Sequence, residues 1–437
     1  MVAQTKTPID LLTLPDKQAV VKEFVGRPIH TLRTPCMVID RAVFAKNCAK
    51  MHQNAKDWGA SFRAHVKSHK TAEGTKLQLV SSTDKTEAVV VSTLMEAWAI
   101  VKAGLVADGT VKDILYGLPV GVNKIQDLAS LWDELEKYGG IVRLLIDHPE
   151  QVQALEQFEQ QREKPRSWSV FVKVDGGQKR AGVPPTSTAF RPLVELLSIS
   201  PATTIFGFYC HAWDAYASTS LPEASSFLSA EVNAVNSAAS AAKKIYAEIS
   251  ANVPEGGFVL AVGSTPTAHA ASVEARQQLD SLLHGRLELH AGNYPLLDLQ
   301  QMHTNLVGGN RVAQKVLATV ISYYPGRSAD GRDEALCDAG AIAMSKDTGP
   351  SGGFGDVIGK PWRLGRVSQE HGILLSHPSG PLASGHQEGK LAIGEVVEIV
   401  GQHACLITAA YPWYYIVDSE AGKADEVVDV WVSWKGW

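Results

Sequence analysis

With 437 residues, 45% of them hydrophobic and 20% charged, the chain has the composition of a soluble globular protein with room for two domains. A net charge of −5 leaves no basic footprint for nucleic acid, and there is no run of about 18 apolar residues to span a membrane. The segment Met1–Pro28 mixes Asp10, Asp16 and Glu23 with lysines, unlike a secretory signal or a transit peptide, and the five cysteines are scattered and odd in number; both features suit a reducing cytoplasm.

Residues 1–34 read as irregular apart from a short helix near Lys17–Phe24. Pro35–Asp40 reads as a short apolar strand, and Asp40 as the N-cap of a helix through about Trp58. Then a beat sets in. Strands are predicted at 62–66, 88–92, 113–116, 142–146, 169–174, 205–210, 258–262 and 287–290. Helical patterns fall between most of them, at Leu94–Ala103, Asn123–Lys137, Pro149–Gln161, Phe190–Ser198 and Leu221–Ser250. Eight strands alternating with helices predict a (β/α)8 TIM barrel over residues 35–310. An open doubly wound sheet is the alternative, but no G-x-G-x-x-G is present. From residue 311 valine-rich and aromatic runs recur without convincing helices, at Val312–Tyr324, Ala335–Met344, Arg363–Leu375, Glu395–Thr408, Tyr414–Asp418 and Val427–Trp434. Links rich in Gly and Pro join them, notably Thr348–Gly355 and His377–Gly389. Residues 311–437 therefore read as a second, mostly β domain, with 1–34 associated with it.

The chemistry concentrates in Arg63-Ala64-His65-Val66-Lys67-Ser68-His69-Lys70. Alternation gives the first barrel strand an apolar outer face of Phe62, Ala64 and Val66, and an inner face of Arg63, His65 and Lys67. A solvated edge strand also explains the charges, but Phe62 and Val66 need somewhere to pack. The sharper reading is a lysine crowded by cations, so that its amine becomes a nucleophile. Lys67 fits it best; Lys70 lies past the strand, and Lys173 is a rival of similar phase. A Schiff-base lysine in a barrel suggests pyridoxal 5′-phosphate, whose phosphate is expected after strands seven and eight. There Val262-Gly263-Ser264-Thr265-Pro266-Thr267 and His290-Ala291-Gly292-Asn293-Tyr294 offer small residues, hydroxyls and free N–H groups, and the first opens a helix. On strand six Tyr209 and His211 point inward, and Tyr216 follows on the loop. In the β domain His403 and Cys405, i and i+2 on a strand, share one face. Imidazole and thiolate suit zinc, although a partly buried histidine beside an inert cysteine has the same spacing. Glu370-His371 is a further acid–imidazole pair for the same neighbourhood.

As a set, these stretches resemble the fold-type III pyridoxal phosphate enzymes, the alanine-racemase-like group. The resemblance rests on Thr34-Pro35, His65-Val66-Lys67-Ser68-His69-Lys70, Arg180-Ala181-Gly182-Val183, Tyr209, Tyr216 and Gly263-Ser264-Thr265-Pro266. It continues through His290-Ala291-Gly292-Asn293-Tyr294, Gln369-Glu370-His371-Gly372, His403-Ala404-Cys405 and Gly436-Trp437, so that it spans about residues 33–437. Within the group the match is to the eukaryotic D-serine dehydratase family, with the D-threonine aldolases as the neighbouring branch. The resemblance implies Lys67 as the Schiff-base lysine, cofactor contacts from Tyr209, Tyr216, Thr265, Gly292 and Asn293, and zinc on His403 and Cys405. Ala64 stands where the family usually has proline. Gly176-Gly177-Gln178-Lys179 replaces a Cys-Gly-Asn-Gly run, which leaves the fine substrate preference open. Cys405 favours the dehydratases, since the aldolases tend to carry aspartate there with a harder metal.

The expectation is a homodimeric, zinc- and pyridoxal phosphate-dependent lyase that converts D-serine to pyruvate and ammonia. Lys67 would take the α-proton, and zinc would draw off the β-hydroxyl. D-threo-3-hydroxyaspartate dehydratase and D-threonine aldolase are the near alternatives. An amino-acid racemase and a non-enzymatic pyridoxal phosphate carrier lie further off.

Overall fold

The period-two runs between residues 61 and 291 pair in parallel and close on themselves. The computed structural model describes residues 5–437 except 278, 280–282, 351, 378–381 and 383–388, so most of the link predicted at His377–Gly389 lies outside the described residues. After β1 (Cys36–Asp40) come the barrel strands: β2 (Ser61–His65), β3 (Ala88–Val91), β4 (Asp113–Pro119), β5 (Ile141–Ile146), β6 (Trp168–Lys173), β7 (Thr203–Tyr209), β8 (Phe258–Val262) and β9 (Gly285–Ala291). β9 returns to β2, with Arg63 opposite His290 and Ala64 opposite Ala291. Helices Leu94–Lys102, Ile125–Glu136, Pro149–Glu159, Phe190–Ile199 and Leu221–Glu248 stand close to their predicted places. Alternation sorts the side chains as expected. Phe62, Ala64 and Val66 join the large core between strands and helices, whereas Val90, Leu115, Leu145, Phe171 and Val259 fill the barrel lumen.

The inward basic face differs from its prediction in two respects. Arg63 is structural: its buried guanidinium meets Glu288 on β9 (Nε–Oε1 2.9 Å) and Asp113 on β4 (Nη1–Oδ1 2.6 Å). Asp113 also accepts from Arg143 at 2.7 Å, and His290 lies 2.7 Å from Glu288. These carboxylates offset the desolvation of the arginine, and breaking such a buried pair costs about 3–5 kcal/mol. In addition, β2 stops at His65. Val66–Ser68 form one 3₁₀ turn, so strand alternation ends at His65 and does not carry on to Lys67, which stands just past the carboxyl end of β2.

The rest of the chain builds a nine-stranded sheet. Its strands are β1, β10 (Gln314–Tyr324), β11 (Glu334–Cys337), β12 (Gly355–Val357), β13 (Trp362–Val367), β14 (Gly372–Ser376), β15 (Val396–Gly401), β16 (Trp413–Val417) and β17 (Asp429–Val432). The order is β11-β14-β13-β12-β15-β10-β1-β16-β17. β1, expected to open the barrel portion, instead enters this sheet between β10 (Val38 opposite Lys315) and β16 (Ile39 opposite Ile416). The reason is that β1 is apolar on both faces. Cys36 and Val38 pack with Leu317, Tyr415 and Ile29, while Met37 and Ile39 face the large core. The helix Lys17–Phe24 covers the same sheet, its Phe24 ring 5.0 Å from Tyr415. Two of the predicted β runs end in helical turns, Ala341–Met344 and Ala404–Thr408. His403 is therefore a helix N-cap and Cys405 a first-turn residue, not i and i+2 on a strand. Among the described residues no helix is long and apolar enough to cross a membrane.

Candidate functional site

The sheet unit holds the lysine turn by its backbone. Thr408 Oγ1 donates to the Ser68 carbonyl at 2.6 Å, the Tyr414 hydroxyl to His69 O at 3.0 Å, and Trp434 N to Lys70 O at 2.7 Å. Lys70 closes the turn in the left-handed region at φ 51° and pairs with Glu96 at 3.0 Å. His69 turns away into packing, 2.8 Å from Gln78 Oε1, and burial pushes its imidazole down to about 4. Lys173 is buried, with its ammonium donating to the carbonyls of Val174 (3.3 Å) and Tyr209 (3.4 Å). Lys67, by contrast, makes no hydrogen bond or ion pair among the described residues. It opens into a cavity of about 700 Å³ lined also by Arg180, His211, Tyr216, His403 and Cys405. Of the three lysines weighed in the sequence, Lys67 is the one that faces this cleft.

Four of the five remaining residues predicted to touch the cofactor gather beside it. A Cβ on Gly292 would lie 3.5 Å from Lys67 Cε and 3.3 Å from His65 Cβ, so the missing side chain leaves room next to the lysine. Asn293 N donates to Thr265 Oγ1 at 3.1 Å, and Tyr216 hydrogen-bonds Thr265 in turn. Asn293 Oδ1 is buried without a partner among the described residues. Gly263 sits at φ 130°, where a Cβ would come within 2.2 Å of His290 O, so this turn requires glycine. Tyr209 lies deeper, stacked on His290 at 4.8 Å and 4.6 Å from the Lys173 ammonium, and of the five only Tyr216 lines the cleft itself. Burial, then the charges of nearby Lys67 and other cations, holds His65 well below its ordinary value. Burial followed by Arg180 and Lys67 does the same for His211, whose Nδ1 donates to Gly263 O at 2.8 Å. The gap beside Lys67, the hydroxyls and the unpartnered buried oxygen fit a pyridoxal phosphate.

His403 and Cys405 come together as the sequence suggested, on a helix start instead of a strand. They hydrogen-bond one another, and Ser68 Oγ reaches Cys405 Sγ at 2.9 Å. Burial pushes the Cys405 thiol up, but the hydrogen bond and charge of His403, with the charge of Lys67, outweigh it and hold the thiol below its ordinary value. Burial works against the His403 imidazolium, yet Cys405, Asp298 and Asp347 together raise it to about 9. Among the described residues no group of three or more His, Cys, Asp or Glu side chains could hold a metal. A cysteine sulfur and an imidazole nitrogen are nonetheless donors that zinc favours, and this pair opens to the cleft, one short of the three protein ligands usual at a catalytic zinc. His371 is exposed at the β13–β14 turn and does not line the cleft, so the Glu370-His371 pair does not join this site.

Two carboxylates escaped the sequence reading. Asp298, fully buried, accepts from Asn293 Nδ2 at 2.6 Å and from Ala404 N at 2.8 Å, tying the Gly292-Asn293 loop to the His403–Cys405 turn. Its one signal was a lone acid in the apolar run Pro295–Leu299. Asp347 lies 2.8 Å from His403 Nδ1, and its signal was the polar Ser345-Lys346-Asp347-Thr348 interrupting a valine-rich region.

The alanine racemase N-terminal domain model matches residues 39–253, and the model described as "Putative serine dehydratase domain" matches residues 313–417. The chain is 44% identical over 428 residues to a D-serine dehydratase of Schizosaccharomyces pombe, covering 97% of this chain and 96% of that one. It is 32% identical over 447 residues to a D-serine dehydratase of Saccharomyces cerevisiae, covering 96% and 99%. The fold is similar to that of a cysteine-to-alanine mutant of D-threo-3-hydroxyaspartate dehydratase in its metal-free form, with a TM-score of 0.76 at 26% identity, covering 94% and 100%.

Proposed function

We propose that this chain, which belongs to the D-serine dehydratase family, converts D-serine to pyruvate and ammonia with pyridoxal 5′-phosphate and zinc. The observation that carries the reading is the meeting of the lysine turn with the His403–Cys405 pair: Ser68 Oγ lies 2.9 Å from Cys405 Sγ, and Lys67, His403 and Cys405 line one cleft. Pyridoxal phosphate, when bound, supplies a sink for the electrons left at Cα, and zinc, when bound, supplies Lewis acidity at the β-oxygen. Lys67, Tyr216, Thr265, Gly292 and Asn293 hold the cofactor in this reading, with Tyr209 behind them in the barrel against His290, and His403 and Cys405 hold the metal. The Nζ of Lys67 removes the Cα proton of the substrate. Asp298 keeps the Gly292-Asn293 loop and the His403–Cys405 turn in register on the same cleft as Lys67. A thiolate ligand favours elimination with zinc over the aldolase branch.

A second reading, dehydration of D-threo-3-hydroxyaspartate, draws on the structural relative of that name. It is also supported by Lys346, a cation at the cleft that suits a second carboxylate. Purified protein given D-serine, D-threonine and D-threo-3-hydroxyaspartate, with keto acid, ammonia and aldehyde assayed, separates these readings. Preferred release of pyruvate and ammonia from D-serine supports the first; glycine and aldehyde from D-threonine would sink it. The reading includes a homodimer, supported by Trp213 at the cleft and Leu406 beside Cys405, each 49% exposed. A cytoplasmic setting is supported by five unpaired cysteines.

A further inference from the structure

We infer that Asp347 is a positioning residue, whose carboxylate fixes the His403 ring so that Nε2 faces the metal position beside Cys405. This rests on the reading of His403 and Cys405 as the metal pair. Imidazole has two nitrogens, and the one bound to a carboxylate keeps its proton while the other is free to ligate. His403 Nδ1 lies 2.8 Å from Asp347 Oδ2, which leaves Nε2 as the ligating atom. The loop that delivers Asp347 is constrained at several points. Ser345 takes a left-handed conformation at φ 65°, unusual for a residue with a side chain, and its Oγ accepts the Asp347 N–H at 3.1 Å. The helix just before it is pinned by the Tyr411 hydroxyl, which donates to Ala343 O at 3.0 Å. Just after it, Gly349 lies so close that a Cβ would come 2.3 Å from Gln402 Oε1 and 2.8 Å from His303 Cε1. Gln402 is the residue before His403, so the loop is seated against the very turn it orients. A carboxylate placed this way holds one ring orientation and strengthens the ligand, a contribution typically worth about 10–100-fold in metal affinity.

The test uses full-length, cofactor-bound protein stripped of metal and titrated with zinc against a chromophoric chelator. Asp347→Asn is expected to weaken zinc binding about 10–100-fold, and Asp347→Glu to recover part of the loss. Cofactor absorbance and the thermal midpoint should stay at wild-type values, since the Asp347 side chain is 40% exposed. Thr348→Ala, on the same loop, should bind zinc as wild type does. Affinity for Asp347→Asn within about twofold of wild type would overturn the inference, because no orienting contribution of the usual size would remain. An equal loss in Thr348→Ala would trace the effect to the loop and overturn it too. Loss as complete as in Cys405→Ala would make Asp347 a ligand and not a positioner. Failure of the wild type itself to take up zinc would instead refute the metal reading on which the inference rests.

Discussion

Replacing Thr408 with valine tests whether the sheet unit holds the catalytic turn in place. Thr408 is 1% exposed, and its Oγ1 donates to Ser68 O at 2.6 Å; valine keeps the shape and removes the donor. A buried carbonyl left without its partner costs about 1–3 kcal/mol. The Tyr414 and Trp434 bonds to His69 O and Lys70 O remain, so the turn should shift rather than unfold. A displacement of about 1 Å at a reacting group costs about 100-fold in rate, which sets the upper end of the expected fall in kcat for D-serine. Cofactor absorbance should be retained. Tyr414→Phe removes the adjacent donor, and because both bonds hold one turn, the double variant should show a coupling of about 0.5–3 kcal/mol. Urea unfolding followed by tryptophan fluorescence, alongside turnover, measures both quantities. Wild-type stability and turnover in Thr408→Val, or strict additivity in the double variant, would refute the anchoring argument.

Borohydride reduction followed by peptide mapping should tag Lys67, because Lys70 is paired with Glu96 and Lys173 is spent on backbone carbonyls; a tag on either of those would refute the assignment. Stability should also carry the signature of Glu231, whose carboxyl is raised by burial from 4.5 to about 7. Its folded value exceeds its unfolded one, so its contribution is fully present below about pH 4.5 and is lost as pH rises to about 7, a change of roughly 3 kcal/mol. Glu231→Gln should lack that slope in urea midpoints measured across the same interval, and equal slopes in both proteins would contradict the burial argument.

The barrel was legible because its strands and helices carry their periods plainly, and phase alone separated Phe62, Ala64 and Val66 from Arg63, His65 and Lys67. Alternation reports which face is covered, not by what. Arg63 therefore read as chemistry, since its partners Asp113 and Glu288 lie 50 and 225 residues away. Its place past the strand set Lys70 apart from Lys67, but phase did not separate Lys173, and the contacts that occupy the two rivals, Glu96 and the carbonyls of Val174 and Tyr209, exist only in three dimensions. β1 was read as a strand but assigned to the barrel portion, for a related reason: a doubly apolar strand needs cover on both faces, and sequence order does not say which sheet supplies it. His403 and Cys405 lie together, but on a helix start where a strand was expected. A Gly401 strand end followed by a capped helical turn brings side chains two residues apart together much as a strand would. Asp298 and Asp347 each act on a residue brought near by the fold, which no local pattern records.

Metal-assisted elimination at the junction of barrel and sheet can be decided by one titration. Protein stripped of metal by a chelator, its cofactor absorbance intact, is given D-serine and then increasing zinc while ammonia and pyruvate are followed. No ammonia is predicted before zinc, with recovery rising to equivalence with the chain and absent in His403→Ala and Cys405→Ala. Ammonia released at an undiminished rate by the metal-free protein would contradict the role given to His403 and Cys405.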